Sequence, residues 1–147
     1  MFKIYFCAFV CGVLALNAKA SSLDELKLKY VEMIIECSND YPITVADMTE
    51  LRSKIMPETE SIRCLFACVY KKAGMMNEKG ELSVDGVNEM SRKYLADDPE
   101  KIKKSEEFTE ACKSVNDIAV SDGERGCERA ALIFKCTVEK APDFDLI

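Results

Sequence analysis

Cysteine constrains this chain more than any other residue type. Beyond residue 20 there are six cysteines, separated by 26, 3, 43, 14 and 8 residues. They are Cys37, Cys64, Cys68, Cys112, Cys127 and Cys136. An even number of cysteines in a short exported chain predicts a disulfide framework. Six cysteines allow 15 pairings, so the count alone does not assign the bonds.

Residues 1–20 predict export. A lysine near the start precedes a short apolar run, and a small-x-small cleavage motif ends at Ala20. The run is shorter than the roughly 20 residues of a membrane span, which favours a secretory signal peptide over an anchor. Cleavage would remove Cys7 and Cys11 and leave a mature domain of residues 21–147. We therefore expect a secreted, extracellular protein.

Charge and composition narrow the function. Residues 21–147 keep all 26 acidic residues and 18 of the 20 basic ones, for a formal net charge of −8. Nucleic acids and anionic membranes favour clustered positive charge, so neither is expected as a partner. Histidine is absent, which removes the usual general base and the Ser-His-Asp and Cys-His arrangements. The cysteine spacings match no common zinc pattern, so we expect no enzyme, no cofactor and no metal.

The local sequence predicts an all-α domain of six helices, because apolar residues recur at helical spacing and no segment alternates with period two. The predicted starts of five of them are Ser22 with Glu25, Thr44 with Asp47, Ser83, Asp98 before Pro99, and Ser121 with Glu124. Ile55 is placed on the face of the second helix and Val115 on the fifth. The loop after Met75 is predicted to be a connector.

Helix geometry restricts the disulfides. Cys127 and Cys136 lie nine positions apart on the predicted sixth helix, about 13 Å along its axis. A disulfide tolerates a Cα separation of no more than about 7 Å, so these two cannot bond each other. Cys64 and Cys68 lie one turn apart on one face with parallel side chains, so they too must pair with other elements. The remaining pairings stay open on these grounds.

The pattern Cys37-x26-Cys64-x3-Cys68-x43-Cys112-x14-Cys127-x8-Cys136, behind a signal peptide on a helical chain, resembles the six-cysteine insect odorant-binding proteins. The resemblance covers essentially all of the mature chain, and the x3 and x8 spacings are its most specific parts. It implies a first–third, second–fifth, fourth–sixth pairing, here Cys37–Cys68, Cys64–Cys127 and Cys112–Cys136. It also implies a compact six-helix shell around one internal apolar cavity, and secretion into the fluid around sensory neurons.

The expected function is to bind and solubilise small hydrophobic odorants or pheromones and to deliver them to sensory receptors. A membrane receptor would be an indirect partner, and a weak homodimer is a further expectation. A hydroxyl from Tyr30, Tyr70 or Tyr94 is expected to orient a polar ligand end. The candidate ligand-binding residues are inward-facing apolar, methionine and tyrosine side chains. They are Ile34, Met48, Leu51, Ile55, Phe66, Val69, Tyr70, Met76, Met90, Tyr94, Phe134, Val138, Phe144 and Leu146.

Three further expectations concern the tail, pH and an alternative function. The apolar side chains in segment 143–147 predict a tail that folds over the cavity mouth as a wall, with a disordered tail as the alternative. Without histidine, ligand affinity should depend weakly on pH between about 5 and 7.5. The alternative function is a secreted helical disulfide protein that acts on a protein partner as an inhibitor or signalling factor. A cavity favours the carrier, and a solid core with an exposed apolar patch favours the partner protein.

Overall fold

The computed structural model describes residues 22–144 of the chain, and this part is all-α as predicted. Its helices are α1 Ser22–Ser38, α2 Val45–Arg52, α3 Glu60–Lys72, α4 Val84–Tyr94, α5 Pro99–Cys112 and α6 Cys127–Lys140, with short 3-10 helices at Lys113–Asp117, Gly123–Arg125 and Ala141–Phe144. Extended pairing within these residues is limited to one isolated antiparallel bridge, between Met76 and Leu82. The predicted signal peptide lies outside the described residues.

Three helices begin where their capping residues predict. The Thr44 hydroxyl accepts the N–H of Asp47, and the Asp47 carboxylate accepts the N–H of Thr44 at 2.8 Å, which completes a capping box on α2. On α4 the Ser83 hydroxyl, and on α5 the Asp98 carboxylate, each accept the backbone N–H three residues further on. Pro99 occupies the first position of α5, where a missing N–H costs nothing.

Two predicted caps are wrong. Ser22 is already helical, and its hydroxyl donates to the carbonyl of Tyr94 at 2.7 Å, which joins the start of α1 to the end of α4. Ser121 does not cap α6, because that helix starts after Gly126, a residue in the left-handed conformation with φ 73°. The N–H and hydroxyl of Ser121 instead donate to the Glu128 carboxylate at 2.8 and 2.5 Å. The side chain that accepts an N–H from the first turn of α6 is Asp122, whose carboxylate bonds the N–H of Glu128 at 3.1 Å.

Two helices are shorter than predicted. The last residue of α2 is Arg52, so Ile55 lies beyond the helix and is exposed. The last residue of α5 is Cys112, and Val115 is buried in the 3-10 helix that follows. Here the buried guanidinium of Arg129 on α6 donates to backbone carbonyls, including that of Val115. Those bonds satisfy carbonyls that a longer α5 would have used internally.

Three disulfides join the helices in pairs. Cys37–Cys68 joins α1 to α3, Cys64–Cys127 joins α3 to α6, and Cys112–Cys136 joins α5 to α6. This is the pairing that the family resemblance implies, and it respects both geometric exclusions. Helix α3 packs mainly on α6 and also on α1, while α4 packs on α5. Helix α3 is therefore the central element, held by a disulfide on each side.

The core has two parts, one between α3, α6 and the α5–α6 connection, the other between α1 and α3. The partly buried Phe66 packs against both. The predicted connector after Met75 contributes to the first of these two core regions. Met76 and Leu82 are buried there, and the Asn116 side chain exchanges two hydrogen bonds with the Leu82 backbone, at 2.8 and 3.0 Å.

Candidate ligand-binding site

A pocket of about 390 Å³ lies between α1, α2 and α3. Tyr30 and Ile34 reach it from successive turns of α1, and Met48 and Leu51 do so from α2. We call it the apolar pocket, and its lining is Tyr30, Ile34, Ile43, Met48, Leu51, Arg52, Leu65, Phe66, Val69 and Tyr70. Among these described residues only Arg52 is charged. A concave, mainly apolar site of this volume fits a small hydrophobic molecule.

The ring of Phe66 joins the apolar pocket to the rest of the core. It packs edge-on against Tyr70, with ring centroids 5.8 Å apart, and against Phe134 of α6, with centroids 5.3 Å apart. Edge-to-face contacts of this kind stabilise aromatic pairs beyond the area they bury. Phe66 is therefore packed from behind by Phe134 of α6.

Two phenols supply polar groups at the apolar pocket. The Tyr30 hydroxyl donates to the thioether sulfur of Met75 at 2.7 Å and lies 3.7 Å from that of Met90. Burial raises the pKa of Tyr30 to about 12, and burial with the neighbouring Tyr30 raises the pKa of Tyr70 as well. Both phenols are therefore neutral donors at physiological pH. A thioether is a weak acceptor, so a ligand oxygen can replace it at Tyr30.

The structure brings six of the fourteen candidate ligand-binding residues together in the apolar pocket. These are Ile34, Met48, Leu51, Phe66, Val69 and Tyr70. Met90 and Tyr94 line an adjoining depression between α1, the end of α3 and α4. Ile55, Phe134 and Val138 line a third one, of about 620 Å³, between α6 and the segment after α2. The candidates are thus divided among three concavities that surround α3.

Two candidates lie elsewhere. Met76 is 3% exposed and packs against the backbone of Gly126, so it fills the core and does not line the apolar pocket. Phe144 packs edge-on against Phe108 of α5, with ring centroids 5.9 Å apart, and does not line the apolar pocket. The described start of the tail thus runs along α5 and α6. Leu146, with the end of the tail, lies outside the described residues.

Sequence reasoning missed three lining residues. Ile43 lies in the connection after Pro42, where no helical period signals an inward face. Leu65 recurs at helical spacing with Ile62 and Val69 of α3, yet periodicity does not separate a residue facing a pocket from one facing other side chains. Arg52 is the last residue of α2, and nothing in its local sequence distinguishes it from a solvated charge.

The cysteine framework, the helical shell and the apolar pocket fit one family of proteins. Residues 19–140 match the PBP/GOBP family. The chain belongs to that family. The match covers all six helices and all three disulfides.

Two curated proteins with similar sequences are general odorant-binding proteins. General odorant-binding protein 19d of Drosophila melanogaster is 28% identical over 137 residues, which cover 92% of this chain and 88% of that protein. General odorant-binding protein 28a of the same species is 30% identical over 91 residues, covering 62% of this chain. That alignment spans 64% of the relative, a little under two thirds of its length.

Solved structures of the same type show similar folds. The Drosophila odorant-binding protein OBP28a superposes with a TM-score of 0.64 at 29% identity, covering 84% of this chain and 98% of that one. The fatty acid binding protein OBP56a from the oral disk of the blowfly Phormia regina gives a TM-score of 0.55 at 25% identity, covering 82% and 94%. PBP/GOBP membership supports a carrier of small hydrophobic ligands and not an enzyme.

Two further findings concern membrane spans and metal sites. Across residues 22–144, no helix combines the length and apolar character needed to cross a bilayer. Within the same range, no group of three or more acidic or cysteine side chains is arranged to hold a metal ion.

Proposed function

We propose that this protein is a secreted carrier that binds an odorant or pheromone in the apolar pocket and delivers it to sensory receptors. The observation that carries the proposal is the pocket itself, a preformed concavity of about 390 Å³ walled by aliphatic and aromatic side chains. Transfer of an apolar molecule from water to such a surface is favourable by roughly 25 cal/mol per Å² of apolar area buried. Family membership supports the same conclusion.

The Tyr30 phenol would orient the ligand. It is neutral, it lines the apolar pocket, and its present acceptors are two thioether sulfurs. A ligand carbonyl, hydroxyl or ester oxygen is a stronger acceptor than sulfur and would gain this hydrogen bond. Ligands with one oxygen on an apolar body should therefore bind more tightly than the matching hydrocarbons.

Displacement of a fluorescent apolar probe by a panel of volatiles and lipids tests the carrier function. Met48→Lys places a charge at the pocket lining, while Val45→Lys places the same charge on an exposed part of α2 that does not line the pocket. We expect Met48→Lys to weaken probe binding about tenfold, because the ammonium must be desolvated or must exclude the probe. Val45→Lys should leave affinity within twofold. Equal effects of the two substitutions would show that the probe binds elsewhere.

Secretion is part of the proposal and has its own test. The predicted cleavage after Ala20 leaves a chain whose described cysteines all form disulfides, which persist in oxidising compartments. Expression of the full chain in insect cells should yield protein in the medium that begins at Ser21. Retention of residues 1–20 in the exported protein contradicts the signal peptide.

An exposed stripe on α1 favours a second candidate, contact with a protein surface, and a second copy of the chain is its simplest form. Leu28, Val31 and Ile35 recur on one face of α1 and are 63%, 52% and 61% exposed. Exposed apolar stripes of this kind recur at protein interfaces. Sedimentation velocity across protein concentrations should show a weak dimer that Val31→Glu abolishes without changing probe affinity. A monomer at all concentrations removes the homodimer.

A further inference from the structure

A second concavity, of about 400 Å³, adjoins the apolar pocket and differs from it in chemistry. It lies between α1, the end of α3 and α4. We call it the lysine pocket, and the lining residues that matter here are Leu26, Lys29, Met33, Met90, Lys93 and Tyr94. Lys72 and Glu89 also line it. One side is therefore apolar, and the other carries three ammonium groups, one carboxylate and a phenol.

The two ammonium groups converge on Tyr94. Lys29 and Lys93 place their Nζ atoms 5.6 and 5.1 Å from the centroid of its ring. Interaction of the phenol with the Lys29 ammonium is the main cause that lowers the pKa of Tyr94, and the same interaction raises the pKa of Lys29. Because ammonium groups only donate, the phenol proton is available to an acceptor on a ligand. The site thus presents three donors at one place.

Neighbouring carboxylates leave one of these charges without an ion pair. Lys29 pairs with Glu25 at 3.3 Å, and Glu89 also lines the lysine pocket. Among residues 22–144, no carboxylate makes an ion pair with Lys93. Lys72 pairs with Glu36 at 2.7 Å, so among the described residues Lys93 is the one lining lysine without an ion pair, and it is the group that a single carboxylate would neutralise. The mature chain carries −8 overall, which disfavours ligands with several negative charges.

The apolar side of the lysine pocket leads towards the apolar pocket. Met33 and Met90 lie on facing helices, and both can adapt to an aliphatic chain. Tyr30 lines both concavities, so it forms their common wall. Among the described residues its hydroxyl bonds only to thioether sulfurs, so these hydrogen bonds cost little to replace by one to a ligand oxygen. A chain that leaves the lysine pocket past Tyr30 enters the apolar pocket.

We propose that the lysine pocket binds the carboxylate head of an aliphatic acid whose chain extends past Tyr30 into the apolar pocket. This inference rests on the proposed function, because it assigns the ligand class of the same carrier. Lys93, Lys29 and the Tyr94 hydroxyl hold the carboxylate oxygens by charge-assisted hydrogen bonds. The first carbons of the chain pack against Leu26 and Met33.

Calorimetric titration with three ligands of one chain length tests this assignment. Dodecanoate, dodecan-1-ol and methyl dodecanoate share an aliphatic chain and differ in the charge of the head. The variants are Lys29→Met, Lys93→Met and their combination, which remove charge while keeping an apolar stem. Lys79→Met, an exposed lysine outside both pockets, makes the same change in net charge as each single variant and serves as the control.

The double variant should bind dodecanoate at least tenfold more weakly, because two charge-assisted hydrogen bonds are lost. Its affinity for the alcohol and the ester should stay within twofold, which also shows that the variant is folded. Equal losses for acid and alcohol, or an equal loss of dodecanoate binding in Lys79→Met, overturn the lysine pocket but leave the carrier intact. Failure of the wild type to bind any of the three ligands overturns both proposals.

Discussion

Removal of the Cys64–Cys127 disulfide, by replacing both residues with alanine, should destabilise the domain more than removal of Cys112–Cys136. A disulfide stabilises a fold chiefly by restricting the unfolded chain, and the restriction grows with the length of the closed loop. The two bridges close loops of 63 and 24 residues. Both attach to α6, so they are comparable in position and differ mainly in loop length.

The chain-entropy relation gives about 4.3 kcal/mol for the longer loop and about 3.4 kcal/mol for the shorter one, a difference of about 0.9 kcal/mol. Loss of native packing should be similar in the two variants, because all four sulfurs are buried. Cys64 and Cys127 are 1% and 5% exposed, and Cys112 and Cys136 are 3% and 8% exposed. The predicted order therefore follows from loop length and not from burial.

Urea unfolding followed by far-ultraviolet circular dichroism measures the free energy of unfolding of each variant. Mass spectrometry should first establish that the two remaining bridges have formed. The loss for the Cys64→Ala, Cys127→Ala variant should exceed that for Cys112→Ala, Cys136→Ala, with similar dependence on urea. If the bridge that closes the shorter loop proves equally or more important, loop length does not set the order, and native-state packing around α5 does.

Three more predictions concern backbone, pH and dynamics. Gly74 and Gly80 share a φ of 74° but differ in their surroundings. A Cβ at Gly80 would lie 2.7 Å from a backbone oxygen, whereas a Cβ at Gly74 would face open space. Gly80→Ala should therefore lower the free energy of unfolding by about 2 kcal/mol more than Gly74→Ala. Hydrogen bonds from the Thr44 side chain and backbone lower the pKa of Asp47 in the folded state. The contribution of Asp47 to the free energy of unfolding is therefore complete above the ordinary pKa of 3.8. It is lost as pH falls through the lower pKa of the folded state. Urea unfolding should give a constant stability between about pH 5 and 7.5 and a decline below about 4 that Asp47→Asn reduces. In native-state hydrogen exchange, amides of α2 should exchange faster than those of α3; equal rates would contradict a loosely held α2.

The sequence predicts helix starts well where the cap is local. The caps at Thr44 and Asp98 use groups within one turn, so the pattern contains all the atoms involved. At Ser121 the pattern offers two competing acceptors, and the structure selects Glu128, seven residues away. That choice depends on the left-handed turn at Gly126. Glycine is required at this turn because a side chain there would collide with Met76. The information lies in tertiary packing and not in the local sequence.

The site could be predicted only in part, for a similar reason. Helical period places Phe66 and Val69 of α3 inward, and the structure finds both at the apolar pocket. Met76 is a candidate because methionine adapts to apolar ligands and not because of helical period, and the structure buries it in the core opposite Leu82. Asn116, from a distant segment, holds the Leu82 backbone there. The lysine pocket has no signal in the sequence, because Lys29 and Lys93 come from helices whose relative position is not encoded in either segment.

The three walls of the apolar pocket are held with unequal strength, and this bears on how a carrier can both retain and exchange its ligand. Helices α1 and α3 are joined by Cys37–Cys68, and α3 is braced from behind by α6. Helix α2 has eight residues and no cysteine. Its contacts with the rest of the domain include Leu51, which packs against the α1–α3 core, and the Thr59 hydroxyl, which donates to Asp47 at 3.2 Å. No disulfide restrains α2, whereas the C-terminal end of α1 is tied covalently to α3 at Cys37–Cys68. In the proposed carrier, the walls tied by the disulfide would preserve the shape of the apolar pocket, and the short helix that carries Met48 and Leu51 would be the wall that moves to admit a ligand.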